Sequence, residues 1–411
     1  MGARSCASVE SSYGEPRVLA RIAGASLGAR PQGEEEGMRK RMALAVLLAG
    51  VLSMGNGVAE EPVRIGVLAS LTGAWSDEGR QMKQVVELLA EDLNEEGGVL
   101  GRKVELIVED DGSDPRRGVQ AARKLVDQKA AVVVGAYGSA VTEAVQGVLD
   151  KAKVLQISNG STAVPLTEKG YKHFFRVCPR DDDQALEALD VVSELGAGKV
   201  ALLHDGSLYS EGLATKARKV FEENGIQVVS QEALVPGKED YRPVLESVRK
   251  AEPDLVFFTG YYPEAGILLK QKTEMEWDAP FLGSDAVVNS RLLEIAGEGA
   301  AEGFRFLSFP LLKNLPSPEA KAFLSDYEAH YGEPLRSIYA LLGGDAFRVA
   351  VAAMKETEST DADKLAAYLR KDLKDFPGFT GIVAFDEKGD RVAQIYVHYQ
   401  VGGGGEAVLQ F

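Results

Sequence analysis

Across 411 residues the chain carries two cysteines, four histidines and two tryptophans. Cys6 falls in a segment read below as lying ahead of the mature protein, which leaves Cys178 alone. No intramolecular disulfide can then form, and Cys178 is expected to be a small buried hydrophobe. His173, His204, His330 and His398 show no short ligand spacing, so no metal site is expected. No G-x-G-x-x-G follows the first strand, Gly196-Ala197-Gly198-Lys199 lacks the upstream Gly and the Ser or Thr of a phosphate loop, and no Gly-x-Ser-x-Gly elbow occurs. These absences remove nucleotide cofactors and the common nucleophilic sites, so no catalytic residue and no cofactor is expected. Positive charge is scarce too, with 46 Lys plus Arg against 62 Asp plus Glu. Phosphate backbones demand clustered cations, so nucleic acid is not an expected partner, and the excess acid reads as a solvated surface.

Long hydrophobic runs are also missing. The longest, Met42 to Met54, is too short to span a bilayer as a stable helix. It follows Met38 and the basic triplet Arg39-Lys40-Arg41 and precedes the small residues Gly57, Val58 and Ala59, which together have the pattern of a secretory signal. The expectation is a signal peptide over 38–59 with cleavage after Ala59, Met38 as the true start, and residues 1–37 as an unstructured upstream extension. Removing residues 1–59 takes 7 basic and 5 acidic residues, leaving 39 against 57, a mature net charge near −18. No cysteine occupies the last positions of the signal, which predicts a freely diffusing periplasmic protein rather than a lipid-anchored one.

What is present points to two α/β lobes. The length exceeds what one core usually organises, and 45% hydrophobic with 26% charged residues describes a globular protein. From Val63, short β-branched runs alternate with longer amphipathic stretches, the pattern of parallel sheets with crossover helices. The expected strands are Val63 to Ala69, Lys103 to Glu109, Ala130 to Ala136, Lys153 to Ser158, Lys199 to His204, Ile226 to Ser230, Asp254 to Thr259 and Pro280 to Gly283. Between the first two, Met82, Val85, Val86, Leu89 and Leu93 recur at helical spacing, predicting a helix from Gly79 to Glu96. Beyond Pro310, helices are expected over Ser317 to Tyr331, Leu335 to Lys355 and Ala362 to Leu369. The strands Gly381 to Phe385 and Arg391 to Val401 then form a terminal hairpin around the Asp386–Asp390 turn, and Gly402 to Gly405 reads as a surface turn.

In open parallel sheets, ligands bind beyond the carboxyl ends of the strands. Four loops there are polar. Ser139 follows Tyr137-Gly138 at an apparent helix start, where it serves either as an N-cap or as part of an anion site. The loop Asn159-Gly160-Ser161-Thr162 offers bare backbone and two hydroxyls. Tyr261 and Tyr262 follow the seventh strand as pocket wall or as packing. Asp285 is either a helix cap or a carboxylate able to pair with an ammonium in a desolvated cleft.

Several segments in order, Leu71-Thr72-Gly73, Asp110-Asp111-Gly112-Ser113-Asp114-Pro115, Leu166-Thr167-Glu168-Lys169-Gly170-Tyr171, Tyr209-Ser210-Glu211-Gly212-Leu213-Ala214, Gly260-Tyr261-Tyr262-Pro263-Glu264 and Ala301-Glu302-Gly303-Phe304, resemble the branched-chain amino-acid-binding (Leu/Ile/Val-binding) proteins of bacterial ABC transporters. The resemblance runs from Ile65 to Asp390. It implies a two-lobed type I periplasmic binding fold with parallel sheets flanked by helices and three hinge crossovers near Arg180, Phe309 and Asp386. Lobe 1 would comprise 60–180 plus 309–385, and lobe 2 would comprise 181–308 plus 386–411. It implies a monomeric periplasmic component of an importer, closing around an amino-acid-like ligand and serving an ABC permease. Positions matching Ser139, Gly160 and Thr162 would take the carboxylate and part of the ammonium, with Ser161 in the same loop. Tyr209, Tyr261 and Asp285 would close from the second lobe, and Tyr339 would line the wall.

Three departures qualify this. Glu78 stands where such binders tend to have a large apolar residue; a solvated Glu78 is expected, whereas an inward one would favour a polar or cationic ligand. Ser113 and Gly138 stand where some relatives have a disulfide. Asp285 is shorter than the Glu of the best-known members, which implies contact through water or a different ligand. The alternatives are the same fold tuned to an amide, urea or aromatic acid, or a ligand-sensing receptor domain, which would need a spanning helix; none follows Gly381.

Overall fold

The computed structural model describes residues 60–410 apart from 316 and 393–395. The candidate signal segment 38–59 and the stretch 1–37 lie outside the described residues. The first strand, β1 (Val63–Ala69), is buried along nearly its whole length, as a parallel strand covered on both faces must be. It is joined by β2 (Val104–Asp110), β3 (Val132–Val134), β4 (Leu155–Ser158) and β5 (Phe174–Arg176) in a wholly parallel sheet of order β2-β1-β3-β4-β5.

The second sheet contains β6 (Lys199–His204), β7 (Gln227–Ala233), β8 (Leu255–Phe258), β9 (Phe281–Gly283) and β10 (Arg305–Ser308), all parallel. A two-stranded ribbon, β11 (Phe376–Gly378) with β12 (Gly381–Val383), stands apart, and β13 (Val397–Val401) and β14 (Ala407–Leu409) complete the second sheet as β14-β13-β10-β9-β8-β6-β7. The parallel sheets flanked by helices are present as expected, and the second carries an antiparallel edge in addition: β13 runs antiparallel to both β10 and β14. The chain crosses between sheets after β5, after β10 and after β12. The helices Pro318–Tyr331, Ile338–Thr357 and Ala362–Lys371 follow the second crossing, and the last two pack on the first sheet.

The terminal turn forms, with Asp386 N–H donating to the Asp390 carbonyl at 2.9 Å. The chain on either side of it pairs only next to the turn, through the antiparallel bridge Phe385–Arg391 and the Val392 N–H donating to the Ala384 carbonyl at 3.0 Å, and the hairpin goes no further. β12 pairs with β11 while β13 joins the other sheet, and the turn thereby becomes the third crossing. Four strands are absent from the sequence expectation, Phe174–Arg176, Arg305–Ser308, Phe376–Gly378 and Ala407–Leu409. Each is only three or four residues long, too little to establish an alternation.

The first helix spans Ser76–Glu95, beginning three residues before the expected Gly79. Gly79 is required by packing and does not mark a helix boundary: a Cβ there would strike the backbone of Ser70, just past β1. The later helix begins at Ile338, not Leu335, because the Ser337 hydroxyl accepts from the N–H groups of Tyr339 and Ala340. Cys178 is buried, and burial pushes its thiol up to about 12, consistent with an inert packing role.

At an open helical site Gly→Ala stabilises by roughly 0.5–1 kcal/mol. Here the overlap with Ser70 reverses the sign, and Gly79→Ala is expected to destabilise by about 1–3 kcal/mol in urea unfolding. Unchanged or raised stability would show that the Ser70 segment yields freely.

Candidate functional site

Both sheets reverse strand order in the same way, β1 between β2 and β3, and β6 between β7 and β8. Loops at the carboxyl ends diverge at such a reversal and leave a crevice. On the first side, Ser139 opens the helix Ser139–Lys151, but the N-cap position belongs to Gly138 and no side chain caps this helix. The Ser139 hydroxyl is thus released from capping and accepts only the Ala163 N–H at 3.3 Å. In the loop after β4, Asn159 holds the Tyr339 carbonyl through Nδ2 at 3.0 Å. Gly160 lets two rings close over that loop, since a Cβ would lie 2.6 Å from Tyr137 and 3.0 Å from Tyr339. The Thr162 hydroxyl is buried without a hydrogen-bond partner.

On the second side, Asp285 begins a single 3-10 turn, Asp285–Val287, directly after β9. Its carboxylate accepts from the Tyr209 hydroxyl at 2.6 Å and the Tyr396 hydroxyl at 2.9 Å, so it is not a helix cap. Its N–H donates to Gln184 Oε1 at 2.9 Å. Burial raises the Asp285 pKa, and the surrounding hydroxyls pull it back. Asp181, at the first crossing, is raised as well, driven up by burial and then by the charge of Asp285. Its Oδ2 is buried without a partner, and the Thr162 hydroxyl faces it without a well-formed bond. Two carboxylates are thus enclosed with only neutral donors directly on them, an arrangement that favours a cation between them.

The structure brings Ser139, Gly160, Thr162, Tyr209, Tyr261, Asp285 and Tyr339 around one small hollow of about 10 Å³, together with Tyr137 and Ala286. Its walls are aromatic: Tyr137 meets Tyr339 at 5.0 Å between centroids, and Tyr209 meets Tyr261 at 5.3 Å. Two expected residues do not line it. Ser161 turns its hydroxyl to the Ala136 and Tyr137 carbonyls, at 3.0 and 3.1 Å, and so supports the loop. Glu78 is not solvated; it is 2% exposed and bonded to Asn289 and Ser337.

The sequence reading missed Trp75, Asp181 and Tyr396. Trp75 packs at 4.6 Å on Tyr261 and 5.7 Å on Tyr137, behind two of the rings that line the hollow. The missing side chain of Gly138 leaves room for its ring. A rare tryptophan just beyond the first strand was the available signal for it; the Asp181–Asp183 run hid its one buried member.

A larger hollow of about 420 Å³ lies between Val287–Leu293, Leu311–Lys313 and Pro334–Ile338. Its lining is mostly apolar and includes no carboxylate to pair with an ammonium. Among the described residues no helix is long and apolar enough to cross a membrane.

Comparison with known proteins agrees with this architecture. A leucine-, isoleucine-, valine-, threonine- and alanine-binding protein of Pseudomonas aeruginosa is 32% identical over 356 residues, 85% of this chain and 92% of that one. The leucine-binding protein LivK of Thermotoga maritima superposes with a TM-score of 0.78 at 31% identity, covering 85% of this chain and 98% of its own. The branched-chain amino acid transporter substrate-binding protein LivJ of Streptococcus pneumoniae, in complex with isoleucine, gives 0.75 at 28% identity, covering 85% and 100%. The sequence pattern of the periplasmic binding protein family matches residues 62–406, and the chain belongs to that family.

Proposed function

We propose that the chain binds an amino acid with an apolar side chain in the crevice between its two sheets and delivers it to an ABC permease. The observation that carries this reading is the opposition of unequal halves. The Ser139 hydroxyl at a helix start, not used for capping, and the unpartnered Thr162 hydroxyl in the neighbouring loop suit a carboxylate, and the enclosed Asp181 and Asp285 suit an ammonium. Trp75, Tyr137 and Tyr261 supply the apolar wall. The relatives named for leucine, isoleucine and valine support the same ligand class. An aromatic acid, amide or urea lacks the ammonium and would leave both carboxylates uncompensated, which disfavours those ligands.

A hollow of about 10 Å³ holds on the order of one water. Entry of an amino acid therefore requires the walls to part, and closure follows by hinge motion at the three crossings. The lobes in this reading are 60–180 plus 309–385 and 181–308 plus 386–411. The protein acts as a monomer in the periplasm, exported by the segment 38–59.

Asp285→Ala is expected to weaken binding of leucine, isoleucine or valine by about 2–5 kcal/mol in titration calorimetry, because the ammonium loses a buried partner. Unchanged affinity would remove Asp285 from the site, and tight binding of benzoate or urea by the wild type would sink the amino-acid reading. Trp75→Ala is expected to weaken leucine by about 1–3 kcal/mol and alanine by much less, since the removed wall contacts only a long side chain. Equal losses for both ligands would place Trp75 outside the side-chain pocket.

A further inference from the structure

Outside the hollow, the first turn of the helix Ser76–Glu95 meets the segment that follows Asp285. Asn289 Nδ2 donates to Glu78 Oε1 at 2.7 Å, joining groups from opposite sides of the crevice. The other Glu78 oxygen accepts from Ser337 Oγ, on the first-sheet side. Beside it, Asp77 pairs with Arg291 across the crevice and with Arg80 of its own turn, and the Tyr262 hydroxyl lies 3.5 Å from Asp77 Oδ2. Asn289 sits four residues beyond Asp285, linked through the turn Asp285–Val287. A ligand that draws in Asp285 therefore draws in Asn289.

We propose that Glu78 and Asn289 form a proton-taking latch, so that acid favours closure of the two halves around the ligand. The proposal rests on the hinge-closing reading above and extends it to residues that do not line the hollow.

The surroundings of Glu78 supply no free cation. Its own helix contributes Asp77, Arg80 and Gln81; the loop after β3 contributes Tyr137; the helix Tyr262–Glu274 contributes Tyr262; the segment after Asp285 contributes Asn289 and Arg291; and the turn before Ile338 contributes Arg336 and Ser337. Arg80 and Arg291 are taken by Asp77, and Arg336 lies 3.5 Å from Glu333 and 3.9 Å from Glu294. The carboxyl is left with two neutral donors. Burial pushes it up to about 7; the bonds from Ser337 and Asn289 pull it back, and the charge of Asp77 raises it.

When the halves part, Asn289 and Tyr262 leave with the second side and water reaches Glu78, returning it towards the ordinary value of 4.5. Between these two values the closed form holds a proton that the open form has lost. Lowering the pH through this window therefore favours closure, and above about 7 the burial of an ionised carboxylate opposes it.

The test is single-molecule energy transfer on the ligand-free protein, with dyes at Lys129→Cys and Lys250→Cys, both exposed, while Cys178 stays buried. Glu78 is expected to contribute a roughly 20- to 30-fold rise in the closed-to-open ratio from pH 8 to pH 5.5, in addition to any rise from the buried Asp181 and Asp285. Glu78→Gln keeps the shape, with one acceptor oxygen replaced by a donor NH2 as in the protonated acid, but does not titrate, and is expected to remove this factor while leaving the acid response of the buried Asp181 and Asp285. Asn289→Ala is expected to lower the closed fraction at pH 5.5. A pH response that is the same in Glu78→Gln as in wild type, or closure favoured by base, overturns the latch. Leucine titration on the same molecules separates the two readings. Acid-driven closure without closure by leucine, isoleucine or valine would cost the ligand assignment and leave the latch standing, whereas leucine-driven closure with a flat pH response would do the reverse.

Discussion

Two carboxylates, Asp181 and Asp285, are enclosed within the protein with hydroxyl and amide donors around them and no cation directly on either one. Burying like charges so close together is unfavourable, and the raised pKa of each is the direct expression of that cost. The arrangement becomes favourable when a cation completes it. An ammonium that brings its own carboxylate is suited to the hydroxyls across the crevice as well, and a zwitterion then satisfies both sides at once.

This demand explains how the chain is threaded. The donors and carboxylates come from stretches far apart in sequence, and the crossings that bring them together are themselves braced. Arg176, fully buried at the end of β5, donates to the carbonyls of Ser161 and Ala163 at 3.0 and 2.9 Å, gripping the loop on both sides of Thr162. It also pairs with Asp390 in the turn of the third crossing, and Arg180 from the first crossing reaches the same Asp390 at 2.7 Å. The crossings and the loop holding Thr162 therefore share one ionic network, so a rotation at the crossings is felt at Thr162.

Glu78 shows how a departure from the family pattern is absorbed. With an acid at a position expected to be apolar, Trp75, three residues earlier, packs behind the lining rings Tyr137 and Tyr261, and its ring fits because position 138 is glycine. The acid in turn bonds across the mouth of the crevice to Asn289. The position thus joins the two sides of the crevice, and the hollow keeps its aromatic character.

Much of this was legible in the sequence. The alternation of β-branched runs with amphipathic stretches determined an α/β architecture, and the polar loops after the strands identified Ser139, Thr162, Tyr261 and Asp285, because strand ends and turn chemistry are local properties of the chain. The short strands Phe174–Arg176 and Arg305–Ser308 and the antiparallel edge at β13 were not legible, since pairing depends on partners far away in sequence. Neither was the direction of each side chain. Whether Ser139 caps its helix, whether Glu78 meets water, and which aspartate of Asp181–Asp183 is buried are decided by what packs against them. The sequence by itself determined which residue types stand at the strand ends; only the tertiary structure decided which of them share a crevice, because that depends on three crossings joining groups more than a hundred positions apart.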